Sequence, residues 1–164
     1  MPMIILTCLA SRLSNKQVVW VEDRMEHLTA ASSATGRLTK IKASIDDQGT
    51  IHALDYDQID DVGAYPRAPE PASLYRMHGN LSGAYKVKNI RCRNRVILTN
   101  KTPSGLNRGF GGPQHYFALE RLVHQIAVEL KLNVLDVIKI NLLEKNQFPY
   151  NCLLYTSPSP RDLA

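Results

Sequence analysis

The sequence predicts an α+β fold, in which helices and strands are grouped rather than alternating one by one. Three observations point to this fold. Apolar residues recur at helical spacing near the N-terminus, polar and apolar residues alternate in the middle, and two apolar helical stripes follow a glycine-rich loop. Because strands and helices do not alternate regularly, a parallel α/β sheet is disfavoured.

The first part of the chain predicts a helix and a short strand. The apolar pattern covers residues 3–13, and Ser14 and Asn15 end it. The run Gln-Val-Val-Trp-Val at residues 17–21 then predicts a short buried strand. Residues 30–36 are small or polar, and they predict a loop.

A β-hairpin and a third extended segment are predicted next. Residues 37–45 and 50–62 alternate polar and apolar side chains around the turn-forming residues 46–49. Residues 87–99 also read as extended. Basic side chains recur in and just before this segment, namely Lys86, Lys88, Arg91, Arg93 and Arg95. No nucleic-acid-binding signature accompanies them. We therefore expect a solvated strand face rather than a nucleic-acid surface.

A glycine-rich loop at residues 100–112 precedes two predicted helices. Pro113 suits the first turn of a helix, and one apolar stripe follows it: Tyr116, Leu119, Val123, Ile126, Ala127 and Leu130. Asn133, with Asp136 three residues later, predicts the start of a second, shorter helix. Its apolar side would be formed by Val134, Leu135, Ile138 and Leu142.

The composition is that of a globular protein, with 44% hydrophobic and 21% charged residues among 164. No apolar run approaches the roughly 20 residues that a membrane-spanning helix requires. No basic residue precedes the apolar N-terminal stretch, so neither a membrane span nor a signal peptide is predicted. The three cysteines form no Cys-x-x-Cys motif and favour a reducing compartment, the cytoplasm before the periplasm.

The last residues differ in character from the rest. The string Cys-Leu-Leu-Tyr-Thr-Ser-Pro-Ser-Pro-Arg-Asp at residues 152–162 is the in-frame translation of a widely used sequencing-library adapter. We therefore expect residues 152–164 to be a non-native, disordered tail. The domain to be explained is residues 1–151.

The glycine-rich loop is the segment most suited to ligand binding. Gly105, Gly109, Gly111 and Gly112 lie just before a helix N-terminus, where backbone N–H groups can approach an anionic or oxygen-rich ligand. The spacing is neither a P-loop nor a dinucleotide fingerprint, and a purely structural turn stays an equal alternative. The net charge of +5 also leaves open a small basic module that binds nucleic acid or a phosphorylated ligand without catalysis.

Residues 105–114, Gly-Leu-Asn-Arg-Gly-Phe-Gly-Gly-Pro-Gln, resemble the molybdenum-site loop of the molybdenum hydroxylases, the xanthine dehydrogenase, aldehyde oxidase and carbon monoxide dehydrogenase superfamily. Residues 19–27, 85–91, 118–122 and 141–150 resemble neighbouring segments of that family in the same order. The resemblance covers residues 3–151. It implies an internal fragment of the molybdopterin-binding subunit of an oxidoreductase that hydroxylates an N-heterocycle or aldehyde carbon with oxygen from water.

The resemblance also implies roles for the loop residues. Arg108 takes the place of the molybdenum-site arginine, near the metal but not a ligand of it. Phe110 takes the place of the aromatic residue that contacts the substrate ring. Asn107 and Gly109 would have their backbone beside the cofactor, and Gln114 would cap the loop where the helix starts.

Three further positions refine the expected substrate. Arg76 falls where the xanthine-oxidising members have a substrate-binding arginine. Asn107 replaces the aromatic residue that commonly precedes the molybdenum-site arginine, so the pocket is expected to differ there. The carbon monoxide oxidisers of the family have a different loop, Ala-Tyr-Arg-Cys-Ser-Phe-Arg, in which a copper-binding cysteine follows the arginine. This chain has Gly109 at that place, which disfavours a copper-dependent reaction.

The implied cofactor is molybdenum–molybdopterin, in either its mono- or its dinucleotide form. Iron–sulfur clusters and FAD would lie on partner subunits or domains, and a small molecule would be the substrate, with neither nucleic acid nor a membrane as a partner. The family's Phe-Gly-Gly-Lys segment and its catalytic glutamate do not occur in this sequence. We therefore assign catalysis to no residue, Glu120 and Glu129 included, and expect the chain by itself to be inactive.

Overall fold

The computed structural model describes residues 2–34, 36–68 and 76–147. The chain divides into two compact units, Met1–Ala31 and Ser32–Ala164. The first unit holds helices α1 (Pro2–Ser14) and α2 (Arg24–Ala30). The second holds strands β1 (Gly36–Ile45), β2 (Ile51–Asp61) and β3 (Asn89–Ile97), followed by helices α3 (Gly112–Leu130) and α4 (Val134–Asn141). The predicted tail at 152–164 lies outside the described residues.

The first unit confirms the N-terminal helix but not the strand predicted after it. Residues 17–21 form no strand, so that prediction is wrong. Val19 and Val21 are 73% and 84% exposed rather than buried. Among the described residues no strand pairs with this segment, and an isolated extended run has no partner for its backbone N–H and C=O groups.

Helix α2 was not predicted, although its signal is present in the sequence. The Asp23 carboxylate accepts a hydrogen bond from the Glu26 N–H at 2.8 Å, and the Glu26 carboxylate accepts one from the Asp23 N–H at 3.0 Å. This reciprocal pair is a capping box, which satisfies two N–H groups that the first helical turn leaves free.

The second unit is built on a three-stranded sheet in the order β1-β2-β3. The predicted hairpin is confirmed, because β1 and β2 pair antiparallel, and β3 then lies parallel to β2. In the hairpin turn the Asp46 carboxylate accepts hydrogen bonds from the N–H groups of Gln48 at 3.0 Å and Thr50 at 2.8 Å. Strand β3 confirms the third extended segment.

Helices α3 and α4 contribute to the core of the second unit. The predicted stripe of α3 is confirmed at its buried positions, which are Leu119, Val123, Ile126 and Ala127. Pro113 lies in the first turn, as predicted. In α4, Asn133 is the N-cap and accepts a hydrogen bond from the Leu135 N–H at 2.8 Å. The prediction that Leu135 lies on the apolar side of this helix is wrong, because Leu135 is 61% exposed. Val137 is buried instead.

Asn141 joins α4 to the hairpin. Its side chain is 1% exposed, and its oxygen accepts a hydrogen bond from the Ile51 N–H at 2.8 Å. Its amide donates to the carbonyls of Gly49 and Val137, both at 2.8 Å. One side chain therefore satisfies backbone groups at the end of the helix, in the turn and at the start of β2.

Replacing Asn141 with Ala should lower the free energy of unfolding by about 3 kcal/mol, because it leaves buried backbone donors and acceptors unpaired. Urea denaturation of the 164-residue chain measures this. Asn89→Ala is the matched control, since Asn89 makes an exposed hydrogen bond to the His52 carbonyl at 3.1 Å. Equal losses in the two variants would contradict the role given to Asn141.

Among the described residues, no helix is both long and apolar enough to cross a membrane.

Candidate functional site

The glycine-rich loop makes a tight turn directly before α3. Gly109, Phe110 and Gly111 all have positive φ angles, of 88°, 24° and 82°. The Phe110 N–H donates to the Asn107 carbonyl at 3.0 Å, and the Gly112 N–H donates to the Gly109 carbonyl at 2.8 Å. A side chain at Gly109 would be strained by this backbone and would also meet the Pro113 ring at 2.9 Å.

The start of the loop is fixed to the rest of the second unit through backbone contacts. The Ser104 N–H donates to the Val62 carbonyl at 3.0 Å, and the Gly105 N–H donates to the Ser33 carbonyl at 3.0 Å. A Cβ at Gly105 would lie 2.7 Å from the Ser32 Cβ, so glycine permits this close approach. The loop is thus anchored at its base while its tip is exposed.

The tip presents Arg108 to solvent. The Asn107 side chain accepts a hydrogen bond from the Arg108 N–H at 2.8 Å, which holds the turn. Arg108 is exposed, and no residue in the described part of the chain forms an ion pair with its guanidinium. Gln114 is half-buried in the first turn of α3, where the N-cap is Gly111. The loop therefore offers an arginine three residues before the N-cap of a helix.

The structure brings together the two residues predicted to contact substrate. The Arg76 guanidinium carbon lies 5.6 Å from the centre of the Phe110 ring, in the range of a cation–π contact. The two residues are far apart in sequence, and no spacing rule predicts their contact. Phe110 is half-buried and Arg76 is exposed, so both are positioned at the surface beside the loop.

A buried polar cluster underlies this region, and sequence reasoning missed it. Arg37 of β1 forms a two-bonded ion pair with Asp60 of β2, with N–O distances of 2.5 and 2.8 Å. Both side chains are essentially inaccessible, as are Gln58 and His115. The alternation of β1 and β2 contained the signal, because Arg37 and Asp60 occupy inward positions that face each other in the register.

Two histidines of this region are held neutral. His115 is 0% exposed, with its ring 5.4 Å from the Tyr56 ring and 5.4 Å from the Tyr116 ring. His78 is half-buried beside β3. Burial, with a smaller contribution from the Arg37 guanidinium, lowers the pKa of both imidazoles below the ordinary 6.5.

The loop presents several kinds of group that could contact a ligand. In residues 2–34, 36–68 and 76–147, no three His, Cys, Asp or Glu side chains are grouped as a metal site would need. The loop instead provides backbone N–H groups, an exposed arginine and a flat aromatic ring, which fit an anionic group and a planar molecule. Glu120, to which no catalytic role was assigned, accepts a hydrogen bond from the Tyr85 hydroxyl at 2.7 Å.

A family model for the molybdopterin cofactor-binding domain matches residues 1–142 of this chain. Subunit gamma of the 6-hydroxypseudooxynicotine dehydrogenase complex from Paenarthrobacter nicotinovorans is 30% identical over 149 residues, which make up 91% of this chain and 19% of that protein. The chain thus spans about a fifth of the length of such relatives.

Two solved structures are similar to this chain over nearly its whole length. Quinoline 2-oxidoreductase from Pseudomonas putida 86 superposes with a TM-score of 0.84 at 31% identity, covering 93% of this chain and 20% of that one. Carbon monoxide dehydrogenase from Oligotropha carboxidovorans superposes with a TM-score of 0.81 at 26% identity, covering 92% and 19%. The similarity confirms the α+β fold.

The buried histidine predicts how stability depends on pH. Because the pKa of His115 is lowered on folding, the unfolded chain binds more protons below pH 6.5. Its contribution to stability is complete above pH 6.5 and is lost as the pH falls from there towards the folded-state pKa.

His115→Phe should therefore weaken the fall in unfolding free energy between pH 6.5 and 5, as measured by urea denaturation at each pH. His124→Phe, at an exposed position of the same helix, serves as the control and should keep the wild-type slope. Identical slopes in all three proteins would show that His115 does not cause the acid sensitivity.

Proposed function

Because the chain belongs to the molybdopterin cofactor-binding domain family, we propose that its loop at residues 105–114 forms part of the molybdenum-cofactor pocket of an oxidoreductase. The reaction is the hydroxylation of an N-heterocycle or aldehyde carbon with oxygen from water. The observation that carries this proposal is the Arg76 guanidinium 5.6 Å from the Phe110 ring, directly beside the loop. The catalytic glutamate and the electron-transfer groups belong to other parts of the enzyme.

Arg108 and the loop backbone are the groups proposed to hold the cofactor. An arginine stays charged and can donate several hydrogen bonds to oxo or phosphate oxygens. Such oxygens would meet the exposed guanidinium of Arg108 and the backbone N–H groups of Asn107 and Gly109, since the N–H groups of Arg108 and Phe110 already donate to Asn107. Gln114 lies at the adjoining helix start. When bound, the molybdenum cofactor supplies the oxidising centre, and the chain's own residues orient it.

Phe110 and Arg76 are proposed to hold the substrate. The Phe110 ring offers a flat apolar surface for a planar ring, and Arg76 can donate hydrogen bonds to a ring nitrogen or a carbonyl oxygen. The similarity to quinoline 2-oxidoreductase, whose name states an N-heterocyclic substrate, supports this class. Asn107 leaves space that an aromatic residue would fill.

Copper-dependent oxidation of carbon monoxide is not proposed, despite the similarity to a carbon monoxide dehydrogenase. Gly109 has no side chain to supply a sulfur ligand. The alternative of a basic binding module is also weakened. On the basic strand face, Arg91 forms an ion pair with Asp55 and Arg95 forms one with Asp57 at 2.6 Å, so part of the positive charge is neutralised.

The cofactor role of Arg108 is tested by Arg108→Ala in the complete oxidoreductase. The variant should contain at least fivefold less molybdenum than the wild type after purification, measured by elemental analysis, because one charge-assisted contact is lost, worth about 1.5–3 kcal/mol. Arg93→Ala, which removes an exposed arginine from β3, should leave the molybdenum content unchanged. Full molybdenum content in Arg108→Ala would refute the assigned role.

The substrate role of Phe110 is tested by kinetics in the same enzyme. Phe110→Ala should raise KM for quinoline about tenfold, equivalent to about 1.4 kcal/mol, through the loss of ring stacking. Its molybdenum content should not change. Phe117→Ala is the matched control, because that ring is 76% exposed on α3. If both variants bind quinoline as the wild type does, Phe110 does not contact the substrate.

A further inference from the structure

Arg76 precedes a short segment that is held in place by two side-chain hydrogen bonds. This segment continues into a single 3₁₀ turn, His78–Asn80. The Asn80 amide donates a hydrogen bond to the Tyr116 hydroxyl on α3, and a second bond joins the His78 imidazole to Asn94 on β3. These attachments hold the turn that directly follows Arg76, and Arg76 itself is exposed.

The contacts of Asn94 favour a neutral His78. Burial raises the pKa of the Cys92 thiol above its ordinary 9.0, so this thiol keeps its proton. It donates to the Asn94 side-chain oxygen at 3.2 Å. The Asn94 amide nitrogen then faces His78 Nε2, and it can donate to this nitrogen only when the nitrogen carries no proton. Only a neutral imidazole has a nitrogen that can accept this bond.

The charges around His78 also favour the neutral form. Arg37 on β1 is the cation that acts on it, and Asp60 on β2 is bound to Arg37. Cys92 on β3 is uncharged, and His115 on α3 is close enough to Arg37 that its own pKa is lowered as well. No carboxylate among the described residues bonds to the His78 ring.

We propose that His78 and Asn94 are a positioning pair, which holds Arg76 over Phe110 while His78 is neutral and releases it when His78 is protonated. A protonated imidazole presents N–H groups at both nitrogens, so it would oppose the Asn94 amide instead of accepting from it. The inference rests on the proposed function only in treating Arg76 as a substrate-facing residue. The geometry can be tested without substrate or cofactor.

The test uses nuclear magnetic resonance on the full 164-residue chain. Protons of the Arg76 side chain that lie over the Phe110 ring should be shifted upfield, and Phe110→Leu should remove this shift and so identify it. In the wild type the shift should be present at pH 7.5 and should be lost as His78 protonates below pH 6.5. The His78 ring resonances report its protonation in the same titration, and an Arg76 shift that stays constant while His78 becomes protonated would overturn the proposal.

Variants of Asn94 separate positioning from general stability. Asn94→Ala should lose the Arg76 shift at every pH, whereas Asn89→Ala, on the same strand, should keep the wild-type behaviour. Asn94→Asp replaces the amide donor with a carboxylate that accepts from a protonated imidazole, so it should retain the shift at pH 5. Because this variant should abolish the loss of the shift at pH 5, it remains informative even if Asn94→Ala fails to fold.

The two proposals fail in different ways. An unchanged Arg76 shift in Asn94→Ala, or loss of the shift at pH 5 in Asn94→Asp, overturns the positioning pair but leaves the molybdenum pocket as proposed. Full molybdenum content in Arg108→Ala refutes the cofactor role without affecting the resonances of Arg76.

Discussion

The ion pair between Arg37 and Asp60 is the interaction on which the site end of the second unit depends. It joins β1 to β2 where the inner face of the sheet changes from apolar to polar, and both side chains are shielded from water. Burying two charges is costly unless their geometry is good. Here the guanidinium binds both carboxylate oxygens, which offsets much of that cost.

The same guanidinium sets the electrostatics above the sheet. It lies close enough to His78 and His115 to favour their neutral forms, in addition to the larger effect of burial. The loop that follows β3 and the turn after Arg76 therefore lie near a buried polar layer in which the charge of Arg37 is paired with that of Asp60. An anionic ligand at the loop tip would meet the exposed guanidinium of Arg108, and Arg76 lies beside Phe110 of the same loop.

Most of the fold could be predicted, and the failures have identifiable causes. The alternation of polar and apolar residues predicted the hairpin, and the helical spacing of apolar residues predicted α3. Both patterns arise because a strand or a helix buries only one of its faces. The run at residues 17–21 misled, since apolar composition does not show whether a partner strand exists. Leu135 was predicted to be buried in place of Val137 because five of the eight residues of this helix are apolar, so spacing alone does not define its inner side.

The site was only partly accessible from the sequence. Residues 105–114 could be identified through their resemblance to a family, but the contact of Arg76 with Phe110 depends on a tertiary arrangement that no local pattern encodes. The roles of His78 and Asn94 could not be foreseen for the same reason.

The backbone at Gly109 limits which residues can replace this glycine. Its left-handed conformation and the Pro113 ring beside it exclude a thiol at this position, so a mutational path to copper chemistry would have to rebuild the turn before it could introduce the cysteine.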